Sequence, residues 1–283
     1  MKQMLKQGMS SRSRAALFAG MSRHGTYYSP VPRPQHRLHR DEPRTREMVK
    51  NVALDHPAFG YRKVWAHLRG LDGLFINRKR VRRILKEEGL QKEMHFPRPR
   101  LPETGRMAAS QPNERWAADI TYVETTDIGP VPLLAVMDTC TREIVSYELM
   151  RSIGAAEALE IVGRGVLERF PKTGRAPGLV LKTDGGPQFV AHRFQDGMRM
   201  LGITLWANRK RRPEDNGMIE SFSGHFKHEY LWIREPETYI ETRQVVAEGM
   251  KDYNEMRPHS SLGYLTPKEF MRRKVAEMEG TRA

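Results

Sequence analysis

Hydrophobic positions between residues 42 and 90 recur at intervals of three and four, which is the spacing of amphipathic helices. Proline and glycine residues divide this pattern into three runs, and Asn77 is a favourable N-cap for the third. The polar side of the third run carries five cations: Arg78, Lys79, Arg80, Arg82 and Arg83. A basic third helix favours a helix-turn-helix-like domain that lays this helix along DNA, although a solvated charged face shows the same local pattern.

From residue 113 the pattern changes to that of β-strands. Alternating apolar positions from 116 to 123 predict a first strand, and apolar runs predict two more at 133–137 and 144–149. The later elements alternate: a helix at 155–170, a strand at 179–181, a helix near 194–201, a strand at 203–206 and a helix from about 216. This order predicts an α/β fold in which a mixed sheet is flanked by helices.

Two stretches outside these elements complete the predicted domain organisation. A short apolar stripe at 15–21 indicates a small helical piece, and four prolines without periodicity indicate an extended linker. The predicted order is an N-terminal helical segment (1–35), a helix-turn-helix-like domain (36–95), a Pro-rich linker (96–112), an α/β core (113–232) and a helical C-terminal extension of that core (233–283).

Charge is distributed unevenly along the chain. The 283 residues carry 48 Lys and Arg against 34 Asp and Glu, a net charge of +14, and the first 110 residues hold 24 basic and 9 acidic side chains. The excess therefore lies in the N-terminal part, which indicates a polyanion such as nucleic acid as its partner. The single cysteine, Cys140, excludes an internal disulfide framework, and no apolar run is long enough to predict a membrane span. These features predict an intracellular protein.

Three acidic residues of the core occupy positions that are unusual for carboxylates. Asp119 lies in the middle of a predicted strand, Asp184 ends another beside two glycines, and Glu220 adjoins the apolar stripe of a helix. Each alone has the ordinary explanation of solvation or pairing. In a sheet that begins with three hairpin strands, however, the centre of strand one neighbours the end of strand four, and the later helix packs across both. Three converging carboxylates suit two Mg²⁺ or Mn²⁺ ions, which promote in-line phosphoryl displacement.

Several ordered motifs resemble a known family. Residues 116–121 (WAADIT), 183–189 (TDGGPQF) and 215–222 (DNGMIESF) resemble the three blocks of DDE transposases and retroviral integrases, with 35 residues between Asp184 and Glu220. Residues 253–267 resemble the tail of second-frame (OrfB) transposases of the insertion-sequence-3 family. Segments 59–64 and 77–81 resemble the N-terminal helical domain of that family, so that the similarity extends over roughly residues 20–270.

The resemblance implies an RNase H-like catalytic core with Asp119, Asp184 and Glu220 as catalytic residues and metal ligands. It implies DNA strand cleavage and 3′-hydroxyl strand transfer at insertion-sequence ends, in a homo-multimeric synaptic complex in the bacterial cytoplasm at the nucleoid. It also implies a first-frame (OrfA) partner protein and no membrane partner. A basic residue seven positions after the Glu is part of the pattern, and Lys227 stands there. The helical spacing of these two residues places Lys227 where it can hold a phosphate, although a solvated lysine on a helix shows the same spacing.

The family pattern is not followed everywhere. Arg211 stands where relatives often have Gly, and with Lys210 it forms a basic loop expected to contact DNA. Gly185 stands where Asn is common. Asn216 is a candidate to orient Glu220, or simply a helix cap, while Arg257 and His259 are interpreted as structural residues of the tail. Two other functions remain open: a non-catalytic DNA-binding repressor or transposase remnant, and an RNase H-like nuclease.

Overall fold

A computed structural model describes residues 43–92, 109–207 and 217–280. The N-terminal segment predicted at 1–35, most of the predicted linker and the candidate residues Lys210, Arg211 and Asn216 lie outside these ranges. From Glu47 onwards, the described residues belong to one compact unit, Glu47–Ala283.

Three helices begin the described chain: α1 (Pro43–Asp55), α2 (Tyr61–Gly70) and α3 (Arg78–Glu87). Their apolar stripes meet in one cluster in which Val64, Leu68 and Ile84 are fully buried. The Asn77 side chain accepts a hydrogen bond from the backbone N–H of Lys79 at 2.8 Å, so the predicted N-cap of α3 is confirmed. The helical boundaries follow the predicted runs closely.

A five-stranded mixed sheet forms the core, in the order β3-β2-β1-β4-β5. The strands are β1 (Arg115–Thr125), β2 (Gly129–Asp138), β3 (Ile144–Leu149), β4 (Val180–Thr183) and β5 (Thr204–Ala207). β1, β2 and β3 are antiparallel neighbours, whereas β4 is parallel to both β1 and β5. The predicted sequence of strands is confirmed, with β4 and β5 displaced by one or two residues from their predicted positions.

Helices cover both faces of the sheet. α4 (Ala155–Arg169), the short α5 (Pro187–Val190) and α6 (His192–Leu201) pack on the face that carries Trp116 and Ala118. Gly165 allows this close approach, because a Cβ there would lie 3.3 Å from the Trp116 ring and 3.0 Å from Ser146 Oγ. The predicted α/β class, a mixed sheet flanked by helices, is therefore confirmed.

The opposite face is covered by helices from the last quarter of the chain. They are α7 (Gly217–Phe226), continued by a π-helical turn (Lys227–Leu231), then α8 (Trp232–Arg234) and α9 (Tyr239–Glu255). A 3₁₀ turn (Ser260–Leu262) and α10 (Pro267–Gly280) follow. α7 and α9 bury their apolar sides against alternate residues of β1, β2 and β3. None of the helices in the described ranges combines the length and apolarity that crossing a membrane requires.

Candidate active site

The parallel pairing of β1 with β4 positions two of the three candidate carboxylates. Ala118 lies opposite Thr183 in this pairing, so the next residue of each strand, Asp119 and Asp184, extends from the same edge of the paired region. Asp119 remains inside β1, where it pairs with Ala135 of β2, while Asp184 lies just beyond the end of β4. The predicted adjacency of the centre of strand one and the end of strand four is therefore present.

Helix α7 brings the third carboxylate to the same face of the sheet. Side chains alternate along a strand, so Asp119 shares its face with Ala117 and Val123. Both of these residues pack in the cluster that includes Ile219 and Phe222 of α7. Glu220 lies between these two buried anchors in sequence but is itself exposed, at the edge of the contact between helix and sheet.

The pKa of Asp119 reflects the charges of the other two candidate carboxylates. Burial, which has the largest effect, and the negative charges of Asp184 and Glu220 together raise the pKa of Asp119 to about 6, although a hydrogen bond from the Ile120 N–H and the charge of Lys227 oppose the shift. Within the described ranges, however, no three carboxylate, histidine or cysteine side chains are arranged so as to hold one metal ion. Asp184 and Glu220 are both exposed, so rotation of their side chains towards Asp119 would not disturb the core.

The turn after β4 requires the conformational freedom of glycine. Gly185 adopts a φ of +77°, in the left-handed region, which Gly adopts freely and Asn tolerates better than other residues. The Asp184 carboxylate accepts a hydrogen bond from the Gly186 N–H at 3.0 Å, which fixes the start of the turn. Gly at position 185 therefore suits the left-handed backbone of this turn.

Lys227 lies close enough to Asp119 for their charges to interact. Burial lowers the pKa of Lys227, and the charges of Glu124 and Asp119 oppose this effect. Its position differs from the prediction in one respect: α7 ends at Phe226, and Lys227 begins the π-helical turn instead of continuing the α-helix. The residue is half-buried.

Sequence reasoning did not identify a second group of side chains next to the carboxylates. Trp206 lies on the same face of the sheet, opposite Lys182 in the pairing of β4 with β5, and is 39% exposed. The Lys182 ammonium and the Arg115 guanidinium lie 5.6 and 5.3 Å from the centre of its ring. The pattern of any one strand does not predict this group of Trp206, Lys182 and Arg115, because its three residues come from three different strands.

The basic side of α3 is partly engaged within the protein. Arg78, Lys79, Arg82 and Arg83 are exposed and Arg80 is half-buried. The Arg78 guanidinium lies 4.3 Å from the ring centre of Trp65, and that of Arg82 lies 5.7 Å from the ring centre of Tyr61. Arg83 forms an ion pair with Glu87 at 3.5 Å. These contacts orient the cations but leave their charge on the surface.

A buried ion-pair cluster that the sequence did not reveal joins the N-terminal helices to the core. Glu229 accepts hydrogen bonds from Lys63 of α2 at 2.7 Å and from Arg257 at 2.7 and 2.8 Å. Burial alone would raise the pKa of Glu229, but the hydrogen bonds and charges of Arg257 and Lys63 outweigh it and hold the pKa at about 2. Arg257 and His259 are buried here, which agrees with their interpretation as structural residues of the tail.

Comparison with known proteins now adds to this geometry. Residues 39–98 match the family described as HTH-like domain, and residues 109–213 and 201–267 match two families described as Integrase core domain. A chain of the simian T-cell lymphotropic virus intasome, solved by cryo-EM in complex with PP2A regulatory subunit B56 gamma, has a similar fold at 17% identity. Its TM-score is 0.50, and the match covers 79% of this chain and 74% of that chain. The predicted RNase H-like core and helix-turn-helix-like domain are confirmed.

Two curated relatives match most of the chain. The transposase InsD for insertion element IS2A/D/F/H/I/K of Escherichia coli is 32% identical over 245 residues, which are 84% of this chain and 81% of the relative. The transposase InsD for insertion element IS2-9 of Escherichia coli strain K12 is also 32% identical, over 84% of this chain and 80% of the relative. The chain therefore belongs to the family of insertion-element transposases that combine an HTH-like domain with an integrase core, and it functions in DNA transposition.

Proposed function

We propose that the chain is a DDE-type transposase of the second-frame (OrfB) class of the insertion-sequence-3 family, with Asp119, Asp184 and Glu220 as its catalytic carboxylates. The observation that carries this proposal is the convergence of β1, the end of β4 and α7, which makes Asp184 and Glu220 raise the pKa of Asp119. Carboxylates that repel one another at a single edge of a sheet are costly to the fold, which favours a functional reason for their position.

The donor set fits a divalent cation. Three carboxylates provide oxygen ligands only, which suit Mg²⁺ or Mn²⁺, and their mutual repulsion is what a bound cation relieves. When bound, two such ions would supply Lewis-acid stabilisation of the entering and leaving oxygens of an in-line displacement. Asp119 would form the fixed side of the site because it is held in β1. Asp184 and Glu220 would complete the site by rotation of exposed side chains.

The proposed reaction consists of two displacements at phosphorus. In the first, the oxygen of water attacks a phosphodiester at the end of the element, the P–O3′ bond breaks, and the leaving oxygen takes up a proton to become a 3′-hydroxyl. In the second, this 3′-oxygen attacks a phosphodiester of target DNA, loses its proton and displaces the 3′-oxygen of the target. No bond to the protein forms in either step. Lys227 would hold a phosphate oxygen near the carboxylates, and Trp206 would offer a stacking surface to an unpaired base.

Several partners follow from this proposal. The DNA substrates are the terminal inverted repeats of the element and the target DNA, so the protein would act at the nucleoid in the bacterial cytoplasm. Joining two ends requires more than one copy of the site, which favours a homo-multimer. A first-frame OrfA protein of the same element would contribute to recognition of the ends.

The test compares the parent protein with Asp184→Asn on duplexes that carry candidate terminal inverted repeats, in the presence of Mg²⁺. We expect the substitution to reduce strand cleavage by at least about 100-fold, the order of effect of removing one electrostatic stabilising group, with DNA affinity unchanged. Asp196→Asn is the matched control, because Asp196 is an exposed carboxylate on α6. Equal cleavage by Asp184→Asn and the parent would refute the assignment of the site. Sequencing of the products distinguishes a transposase from a nuclease, because a transposase yields strands joined to target DNA, whereas a nuclease yields cut strands only.

A further inference from the structure

A cleft of about 920 Å³ lies between the N-terminal helices and the C-terminal part of the core. Its walls come from α2, α3, the segment after α3, the turn between β2 and β3, α7 and the residues that follow α9. Six basic side chains line it: Arg62, Lys63, Arg82, Lys92, Arg142 and Arg257. Among its described lining residues there is no Asp or Glu, so this basic cleft carries a positive potential.

Three of these cations face solvent at the mouth of the basic cleft. Arg62, Arg82 and Lys92 are exposed, whereas Lys63 and Arg257 are engaged below them by Glu229. The two exposed guanidinium groups share one aromatic support, because each lies 5.7 Å from the ring centre of Tyr61. Arg62 Nε also donates a hydrogen bond to Tyr61 Oη at 3.2 Å. The Tyr61 ring therefore positions both guanidinium groups in the ligand-free protein.

Helix α7 connects the basic cleft to the candidate active site. Met218, Ser221 and His225 lie at successive turns of α7 and line the cleft. Glu220, adjacent to Ser221, belongs to the carboxylate group. A polyanion in the cleft would thus lie against the same helix that carries Glu220 to the sheet.

The hydroxyl groups on the opposite wall fit the same ligand. Ser260 and Ser261 are exposed on the 3₁₀ turn and line the basic cleft. Hydroxyl groups interspersed with Arg and Lys are the usual donors to phosphate oxygens in protein–DNA interfaces. The charged and hydroxyl side chains at the mouth argue against a purely apolar ligand.

We propose that the basic cleft binds the phosphodiester backbone of one DNA strand, with Arg62, Arg82 and Lys92 contacting successive phosphates and Ser260 and Ser261 donating hydrogen bonds to them. The inference rests on the proposed function in that DNA is taken as the substrate of the neighbouring carboxylates. It assigns a second DNA contact in addition to the outer side of α3. A strand in this position reaches the active site along α7.

The first experiment measures how salt affects DNA binding. The probe is a fluorescein-labelled 30-base-pair duplex, titrated in EDTA at several NaCl concentrations with the parent and with the triple variant Arg62→Gln/Arg82→Gln/Lys92→Gln. The slope of log K against log salt is negative, and each lost phosphate contact reduces its magnitude by about 0.9, so we expect the magnitude to fall by about 2.7 for the triple variant. The matched control is Arg193→Gln/Arg272→Gln/Arg273→Gln, which removes three exposed cations outside the cleft and should retain the parent slope. Equal slopes for the parent and the cleft variant overturn the proposal.

A single substitution tests the proposal even if the triple variant fails to fold. Ser261→Glu adds a negative charge on an exposed turn, and Ser152→Glu does the same in the loop after β3, outside the cleft. We expect Ser261→Glu to weaken binding of the duplex at least 5-fold at an unchanged melting temperature, while Ser152→Glu binds like the parent. Binding of the duplex by Ser261→Glu with the affinity of the parent overturns the proposal. Poly-glutamate, a polyanion without phosphate, is titrated in place of DNA with the triple variant. Loss of affinity for poly-glutamate with unchanged affinity for DNA also overturns the proposal. The binding measurements in EDTA do not depend on cleavage, so a protein that binds through the cleft yet does not cut when Mg²⁺ is supplied would contradict only the proposed function.

Discussion

At Asp119, burial and two neighbouring negative charges act in the same direction, because each favours the neutral carboxyl group and raises the pKa to about 6. We therefore expect Asp119→Asn to raise the free energy of unfolding by about 0.5–2 kcal/mol, a common gain when a strained functional group is removed. Cleavage should be lost in the same variant. The measurement is urea unfolding at pH 7.5 in EDTA, with Asp72→Asn, an exposed carboxylate of a turn, as control. Equal stability of Asp119→Asn and the parent would contradict this account.

Substitution of Lys227 tests how much a single cation contributes to DNA binding. Its charge interacts with those of Asp119 and Glu124, and the residue is half-buried. We expect Lys227→Gln to reduce the magnitude of the salt slope of DNA binding by about 1, as for loss of one phosphate contact, and to reduce cleavage further. Lys251→Gln, an exposed lysine on α9, is the control and should bind and cut like the parent. An unchanged slope for Lys227→Gln would show that Lys227 does not contact phosphate.

Three elements meet at Glu229: the π-helical turn that carries it, α2 through Lys63, and the segment after α9 through Arg257. We expect Glu229→Gln to lower the free energy of unfolding by about 3–5 kcal/mol, because it leaves buried cations without their counter-charge. Glu248→Gln is the control, since Glu248 is 66% exposed in its ion pair with Arg234 and should change stability by less than about 1 kcal/mol. A small effect for Glu229→Gln would mean that the cluster does not stabilise the fold.

The same cluster makes a prediction about pH. The pKa of Glu229 is lowered from 4.5 to about 2 in the folded protein, so its stabilising contribution is complete above pH 4.5 and is lost as the pH falls towards 2. The difference in unfolding free energy between the parent and Glu229→Gln should therefore stay constant from pH 7 to 5 and shrink below pH 4.5. Denaturant titrations at pH 7, 5, 4 and 3 measure it. A difference that grows on acidification would contradict the assigned direction.

The elements themselves were largely predictable, because local patterns determine them. The alternation along β1, the apolar run of β3 and the cap at Asn77 all depend on neighbours a few positions apart. The cluster at Glu229 was not predictable in this way: Lys63 lies 166 positions earlier, and Glu229, which follows Lys227 and His228, has the sequence surroundings of an ordinary surface position. The π-helical turn at Lys227 was missed for a related reason, since an extra residue in one turn leaves no mark on composition or spacing.

For the molecule as a whole, the adjacency of β1 and the end of β4 was foreseen from strand order, whereas the basic cleft was not. Strand order follows from local elements plus the rule that sequential hairpin strands are neighbours, and this placed Asp119 beside Asp184. The basic cleft depends on how the N-terminal helices dock on α7 and on the segment after α9. That docking is carried by single long-range contacts such as that of Trp65 with Tyr264, whose ring centres are 5.9 Å apart. The charge excess of the N-terminal part indicated the type of ligand but not the location of this cleft.

The net charge of +14 also bears on assembly. Copies of so basic a chain repel one another, and DNA neutralises this charge, so assembly should depend on DNA. We expect light scattering to find single chains at 150 mM NaCl without DNA, and complexes of at least two chains when duplexes carrying terminal repeats are added. Because joining two ends requires two displacements at separate phosphates, end joining should rise more steeply than linearly with protein concentration. A preparation that joins two ends with one chain per complex would refute the requirement for a multimer. Heparin in place of DNA is the control, because it tests whether neutralisation of the protein's charge is sufficient for assembly.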